Sequence, residues 1–193
     1  MKRNDPPCIW KAVLIVWLGV VLIVSSVFVE AKEIRIGLIE HGVTATNVCA
    51  AIEHGDVIIL NTGGGSVTEG HALAECIRSK NVLVKVRRAL SAGVYLVFGA
   101  KRICFDIGAR VGAHSPYTTY SDGTIRYLST QKIRDLMGSW GNTLYSYGYS
   151  QESIFYLVGV TIMTPPENIS YIPIRTVKAI LGDRYIGECG DVL

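Results

Sequence analysis

The sequence predicts an α/β fold: a mainly parallel sheet sandwiched by helices, with a helical arm towards the C-terminal end. Three features lead to it. Strand-like and helix-like segments alternate several times between Glu33 and Ala113, which is the pattern of βαβ units. Val57-Ile58-Ile59-Leu60 is an unbroken apolar run, as expected of a strand covered on both faces. After Pro116 the chain turns polar and then takes up the 3–4 spacing of an amphipathic helix.

Each element follows from its residues. Glu33 to Ile39 alternates and reads as a strand, broken by His41-Gly42. Thr46 to His54 reads as a short helix, capped by Thr44 or Thr46. After the apolar strand, Asn61 to Ser66 forms a glycine loop. Thr68 to Ser79 carries Ala72, Leu73, Cys76 and Ile77 on one helical stripe. Val82 to Val86 is the next strand. Ser91 to Gly99 fits a helix apolar almost all round, and therefore buried. Arg102 to Asp106 and Arg110 to Ala113 read as two short strands. Sites in such sheets lie at the carboxyl ends of the strands, so the glycine loop and the Ser91 turn belong on one rim. Beyond Pro116, Ser121-Asp122-Gly123 signals a turn. Leu128 to Tyr147 is amphipathic through Ile133, Leu136, Met137, Trp140 and Leu144. Gln151 to Val158 is a further short helix, Pro165-Pro166 a break, and Ile174 to Leu181 a last helix closed by Gly182. Seven tyrosines between Tyr117 and Tyr156 fit either an oligomer contact or packing of the arm on the sheet.

The N-terminus is a separate unit. Lys2 and Arg3 precede a run from Ala12 to Val29 without charge. It fits a secretory signal peptide with cleavage after Ala31, or an uncleaved anchor, since eighteen helical residues span about 27 Å. A buried helix is disfavoured because the run has no polar face. Residues 1–31 are then a signal peptide or membrane anchor and residues 32–193 the folded domain. Both leading readings place the domain outside the cytoplasm, periplasmic, secreted or anchored through residues 10–29. Export would permit disulfides. Cys49, Cys76, Cys104 and Cys189 allow three full pairings, and spacing does not choose among them. Buried free thiols are the simpler expectation for Cys49, Cys76 and Cys104. There is no C-x-x-C and no His/Cys cluster, so no metal site is expected. The net charge of +3 is small and interspersed. Lys85, Arg87 and Arg88 read as a solvated strand end, and no nucleic-acid surface is expected.

The chemistry gathers between Leu60 and Pro116. Gly63-Gly64-Gly65 lacks the Gly-Lys-Ser/Thr of a phosphate loop and the spacing of a dinucleotide fingerprint. What remains is a tight strand–helix turn or an oxyanion hole of backbone N–H groups. Ser91 sits among Ala89, Ala92 and Gly93. It fits either a helix cap or a nucleophile at a helix mouth. His114 ends a strand and its neutral imidazole is able to take a serine proton. His41, His54 and His71 read as surface or packed residues.

The order N-T-G-G-G-S-V-T-E-G, helix, strand, A-L-S-A-G-V-Y, strand, G-A-H-S-P resembles the Clp-protease proteolytic subunit and its crotonase-fold relatives, and more closely their exported Clp-protease-like members. The resemblance spans Lys32 to Tyr120 well and the rest in outline. It implies a crotonase-like, ClpP-like ββα spiral with a C-terminal helical arm. By position it makes Ser91 the nucleophile and His114 the general base. The N–H groups of Gly65 and Ala92 become the oxyanion hole, and Gly64, Ser66 and Val67 the edge that pairs with an extended peptide. It further implies a serine peptidase without cofactor, acting on peptides or unfolded segments and assembling as a homo-oligomer. The chain departs from the family at the aspartate that orients the histidine. Phe155 to Pro166 contains no acid. Thr161, Thr164, Asn168 and Glu167 are the nearby substitutes, with Asp106 and Asp122 if the fold brings them close. An orienting aspartate is worth about 10⁴ in kcat, so a catalytically weak or inactive peptide-binding module is the alternative. An acyl-CoA enzyme is a third reading, disfavoured by the export signal.

Overall fold

The computed structural model describes residues 31–120 and 122–191. The apolar run of residues 10–29, whether leader or anchor, lies outside them. Among the described residues no helix is long and apolar enough to cross a membrane. In chain order the elements are β1 (Glu33–Ile39), α1 (Thr44–Ala51), β2 (Val57–Gly65), α2 (Val67–Lys80), β3 (Leu83–Leu90), α3 (Gly93–Gly99) and β4 (Arg102–Ala113). A hairpin of β5 (Tyr117–Thr119) and β6 (Ile125–Tyr127) follows. Then come α4 (Thr130–Ser146), α5 (Gln151–Met163), β7 (Ser170–Ile172), α6 (Ile174–Leu181) and β8 (Tyr185–Glu188).

β1 to β4 run parallel in sequence order. β7 pairs antiparallel with the end of β4, and β8 pairs parallel with its beginning. The sheet is therefore mixed rather than wholly parallel. Its register explains the core. Ile34, Ile58, Val84 and Ile103 are directly opposite one another across four strands, and Ile36, Leu60, Val86 and Phe105 form the next row. Residues two apart share a face, so these two rows make one apolar wall. Leu73 and Ile77 of α2 and Leu96 and Phe98 of α3 bury against it. A smaller cluster of Val57, Leu83, Cys104 and Cys189 forms separately.

Three local features differ from expectation. The glycine run is not a loop: Gly63 to Gly65 continue β2, and Leu38 and Ile39 of β1 pair with Gly64 and Gly65. The two short strands after Lys101 are one strand, because the residues between Phe105 and Arg110 bulge out opposite Arg87. Gly108 turns at φ 78° there, leaving Ile107 98% exposed. Asp106, at the base of the bulge, pairs with Lys85 and Arg87 at 3.6 and 2.8 Å, which accounts for most of that basic cluster. Thirdly, α1 carries no side-chain cap of its own. Glu69 of α2 serves instead, accepting the Ala45 and Gly42 N–H groups at 2.8 and 3.1 Å. A carboxylate at a helix N-terminus is favoured by the helix dipole, and this one ties the β1–α1 turn to α2.

The expectation of free thiols is corrected. Cys49–Cys76 joins α1 to α2, and Cys104–Cys189 joins β4 to the C-terminal turn. Both pairs span elements whose packing, not spacing, brings them together. The second closes a loop with a sequence separation of 85, so it restricts the unfolded chain strongly. The Cys104→Ala/Cys189→Ala double variant is expected to lose about 2–4 kcal/mol of stability, read as a lower urea midpoint with a steeper slope, because the released unfolded chain expands. A midpoint equal to that of the oxidised parent would contradict this.

Candidate active site at the carboxyl rim of the sheet

Ser91 lies between β3 and α3, with φ at 52°. A non-glycine residue in the left-handed region costs on the order of 1–3 kcal/mol and persists only where its surroundings fix it. Here they do. The Ser91 N–H donates to the Gly112 carbonyl of β4 at 2.8 Å, and the Ser91 carbonyl accepts the Val94 N–H at 3.0 Å. The helix therefore begins at Gly93, two residues later than the sequence suggests, and the serine occupies a strand–helix elbow. The elbow ahead of α3 also frees an amide. Among the described residues the Ala92 N–H has no hydrogen-bond partner, as is usual for the first donors of a helix.

His114 is positioned by the same register. Leu90 is opposite Gly112 on adjacent parallel strands, so Ser91 falls level with Ala113 and His114 follows one residue further on, across a strand spacing of about 4.8 Å. Both line one small cavity, together with Val67, Ala92, Tyr95, Trp140 and Thr161. No hydrogen bond joins the two side chains in this structure. His114 is 9% exposed. Its Nδ1 lies 2.8 Å from the Ser115 carbonyl. A carbonyl only accepts, so Nδ1 carries the hydrogen and Nε2 keeps the lone pair, the tautomer a general base needs. Ser115 is held in turn, its N–H donating to the Thr164 carbonyl at 2.8 Å.

None of the substitute side chains for the missing acid is hydrogen-bonded to the imidazole. Thr161 and Thr164 donate back to the Leu157 and Val160 carbonyls of α5 at 2.8 and 2.7 Å. Glu167 accepts from the Tyr127 hydroxyl at 3.1 Å. Asp106 is engaged at the bulge, and Asp122 accepts from Thr124 within its own turn. Thr161 nevertheless lines the cavity. The acceptor at Nδ1 is a backbone carbonyl, which no side-chain motif could have announced.

The glycine segment packs against the serine. A Cβ on Gly64 would sit 2.5 Å from the Ser91 Cβ and 3.0 Å from its Oγ, with φ already at 111°. Thr62, fully buried, accepts the Gly64 N–H at 2.9 Å through its hydroxyl. Sequence reading passed over Thr62, although Thr-x-Gly before a glycine run is the pattern of a hydroxyl bonding its own backbone two residues on. β3 pairs with β2 only as far as Thr62, so the side of Gly63 to Gly65 facing Ser91 lies beyond that ladder. The groups of Ser66 are used inside the fold. Its N–H donates to the Ile39 carbonyl and its hydroxyl caps α2. Behind the cavity, the Tyr95 ring lies between His71 and Trp140, with centroids at 4.2 and 4.8 Å. Burial pushes the His71 pKa down and the Tyr95 phenol up. His41 lies at the rim, its Nδ1 3.5 Å from the Ser66 hydroxyl.

The mixed α/β sheet, parallel from β1 to β4 and carrying Ser91 and His114 at neighbouring strand ends, has a ClpP-like fold. Solved structures bear this out. The chain is similar to a point mutant of the 1510-N membrane-bound stomatin-specific protease, with a TM-score of 0.59 at 18% identity, covering 84% of this chain and 81% of that one. It is similar to ClpP1 from Listeria monocytogenes, with a TM-score of 0.59 at 17% identity over 83% and 94% of the two chains. A point mutant of that protein gives 0.59 at 16% identity over 84% and 95%. Identities this low establish a shared fold. No protein-family model matches the chain, and no curated protein matches it in sequence.

The Gly64 contact is open to test. Gly64→Ala forces either the strand or the elbow to move, at a cost of about 1–3 kcal/mol. The expected result is a folded, destabilised protein whose Ser91 no longer reacts with an alkyl fluorophosphonate. Unaltered reaction kinetics would show that the contact does not position the serine.

Proposed function

We propose that the protein is a serine-type peptidase acting by acyl transfer on peptides or unfolded protein segments. The observation that carries it is the pairing of a left-handed Ser91 elbow with a His114 whose Nδ1 is committed to the Ser115 carbonyl, both on one cavity. Ser91 Oγ attacks the peptide carbonyl while Nε2 of His114 takes its proton. The same proton then passes to the leaving amine. The Ala92 N–H, with that of Gly65, stabilises the oxyanion. An extended substrate lies along the Gly64 side of β2, near Val67, by strand addition.

Two further parts of the reading have structural support. Both disulfides favour an extracytoplasmic address, periplasmic, secreted or held at a membrane by residues 10–29. A homo-oligomer is favoured by the apolar groove of about 400 Å³ between α4 and α5, beside which Phe155 and Tyr145 stand 74% and 66% exposed. Phe155→Glu is expected to lower the mass measured by light scattering on a sizing column, with the fold unchanged by circular dichroism. A parent that is already monomeric would refute this part.

The alternative, a peptide-binding module of the same fold with little or no catalysis, is favoured by the absence of a Ser91–His114 hydrogen bond and, among the described residues, of an acid bonded to His114. Labelling separates the two. An alkyl fluorophosphonate should modify wild-type protein at Ser91, as located by peptide mass mapping. Ser91→Ala should abolish the label, and His114→Ala should slow it by about 10²–10⁴-fold, the usual share of a general base. A folded wild-type protein that never labels would sink the peptidase reading.

A further inference from the structure

The cavity beside Ser91 is far too small for most side chains. Its volume is about 20 Å³, and a site needs roughly 10–15 Å³ to hold one water. It therefore admits a single water or a methyl group. The walls that fill it belong to the core. Trp140 of α4 is 2% exposed and Tyr95 of α3 is 6% exposed. Tyr95 cannot swing aside freely, because its ring is held between those of His71 and Trp140. Thr161 on the third side is pinned by its bond to the Leu157 carbonyl. Tight interiors accommodate extra methylenes poorly. The larger apolar groove, between α4 and α5, has neither Ser91 nor His114 in its lining.

From this we infer that the enzyme selects substrates whose residue immediately before the scissile bond is alanine or glycine, and rejects leucine and phenylalanine there. The inference rests on the peptidase reading. The side chain on the acyl side of the bond is the one tethered to the carbonyl that Ser91 attacks, so it must sit next to Ser91 when the new bond forms. Alanine fills the cavity with its methyl. Leucine would need room for three more carbons, which exists only if a lining side chain such as Val67, Tyr95 or Trp140 gives way.

The test uses peptidyl diphenyl phosphonates that differ only in that residue: alanine, leucine or phenylalanine. In the labelling step Ser91 Oγ bonds to phosphorus and one phosphorus–phenoxide bond breaks. Phenol leaves with the proton that Ser91 gave up through His114. A small alkyl fluorophosphonate runs alongside on the same full-length protein, as a probe that makes no demand on the cavity. The expected result is labelling by the fluorophosphonate and a rate for the alanine reagent at least about 10-fold above that for leucine, with phenylalanine slower still. Val67→Ala and Trp140→Ala should each raise the leucine rate relative to the alanine rate. The wild-type series decides the matter even if the Trp140 variant fails to fold. Labelling by the fluorophosphonate with equal or faster reaction of the leucine or phenylalanine reagent overturns the size selection and leaves the peptidase reading intact. No labelling by any reagent on folded protein overturns both.

Discussion

The hydrogen bond from the Ser91 N–H to the Gly112 carbonyl is the constraint on which the rest of the site depends. It extends the β3–β4 ladder by one donor beyond Leu90, at the point where the chain reverses into α3. Without it, nothing on β4 would hold a serine in the left-handed region, and the residue would fall into the helix as an ordinary cap. With it, Ser91 is locked to the strand that delivers His114 two residues further on. The separation of Ser91 from His114 is therefore set by sheet register, which is rigid, and not by a loop.

The glycines of β2 act on that same point. Gly64 leaves the space that the Ser91 side chain occupies, and Gly93 does the same below it, where a Cβ would lie 2.5 Å from the Thr62 Cγ2. Thr62 of β2 thus packs against the start of α3 on one side and fixes Gly64 of its own strand through the N–H bond on the other. The energy stored in one unfavourable backbone conformation is offset by burial on both sides of it.

Much of this was legible in the sequence, for identifiable reasons. The strands β1 to β3 and the helices α2, α4 and α6 announce themselves through apolar periodicity, and their register follows once they are parallel. That Ser91 and His114 lie at strand ends was readable from the chain, whereas choosing them as a pair came from the resemblance to the Clp-protease proteolytic subunit. What escaped depends on groups without a sequence signature. β5 to β8 have three or four residues each, too few for a period to register. The bulge in β4 looks like a strand break because Ile107-Gly108 has no alternation to continue. Glu69 as the cap of α1 is a contact 24 residues away in sequence, and both cysteine pairs are of the same kind. The acceptor for His114 Nδ1 is a main-chain carbonyl, which any residue at position 115 would provide.

That last substitution changes the electrostatics of the site more than its geometry. A carbonyl dipole fixes the tautomer and the ring angle as a carboxylate does, since both need only a lone pair in the ring plane. In the proposed mechanism it does not supply a full negative charge to the imidazolium that would form on deprotonation of Ser91. Hydrogen bonds to a charged acceptor contribute roughly twice as much as neutral ones, and the difference falls on the charged intermediate, not on the resting state. The resting site is accordingly well ordered, because Ser115 is anchored to Thr164 and Thr164 to Val160 of α5. Measured against a serine–histidine–acid triad, the site has the ordered imidazole and, among the described residues, no acid bonded to it. On the proposed peptidase reading, oxyanion stabilisation by fixed amides carries the larger share of the rate enhancement, which makes the elbow at Ser91 and the strand at Gly64 the places where that activity is most sensitive to a single atom.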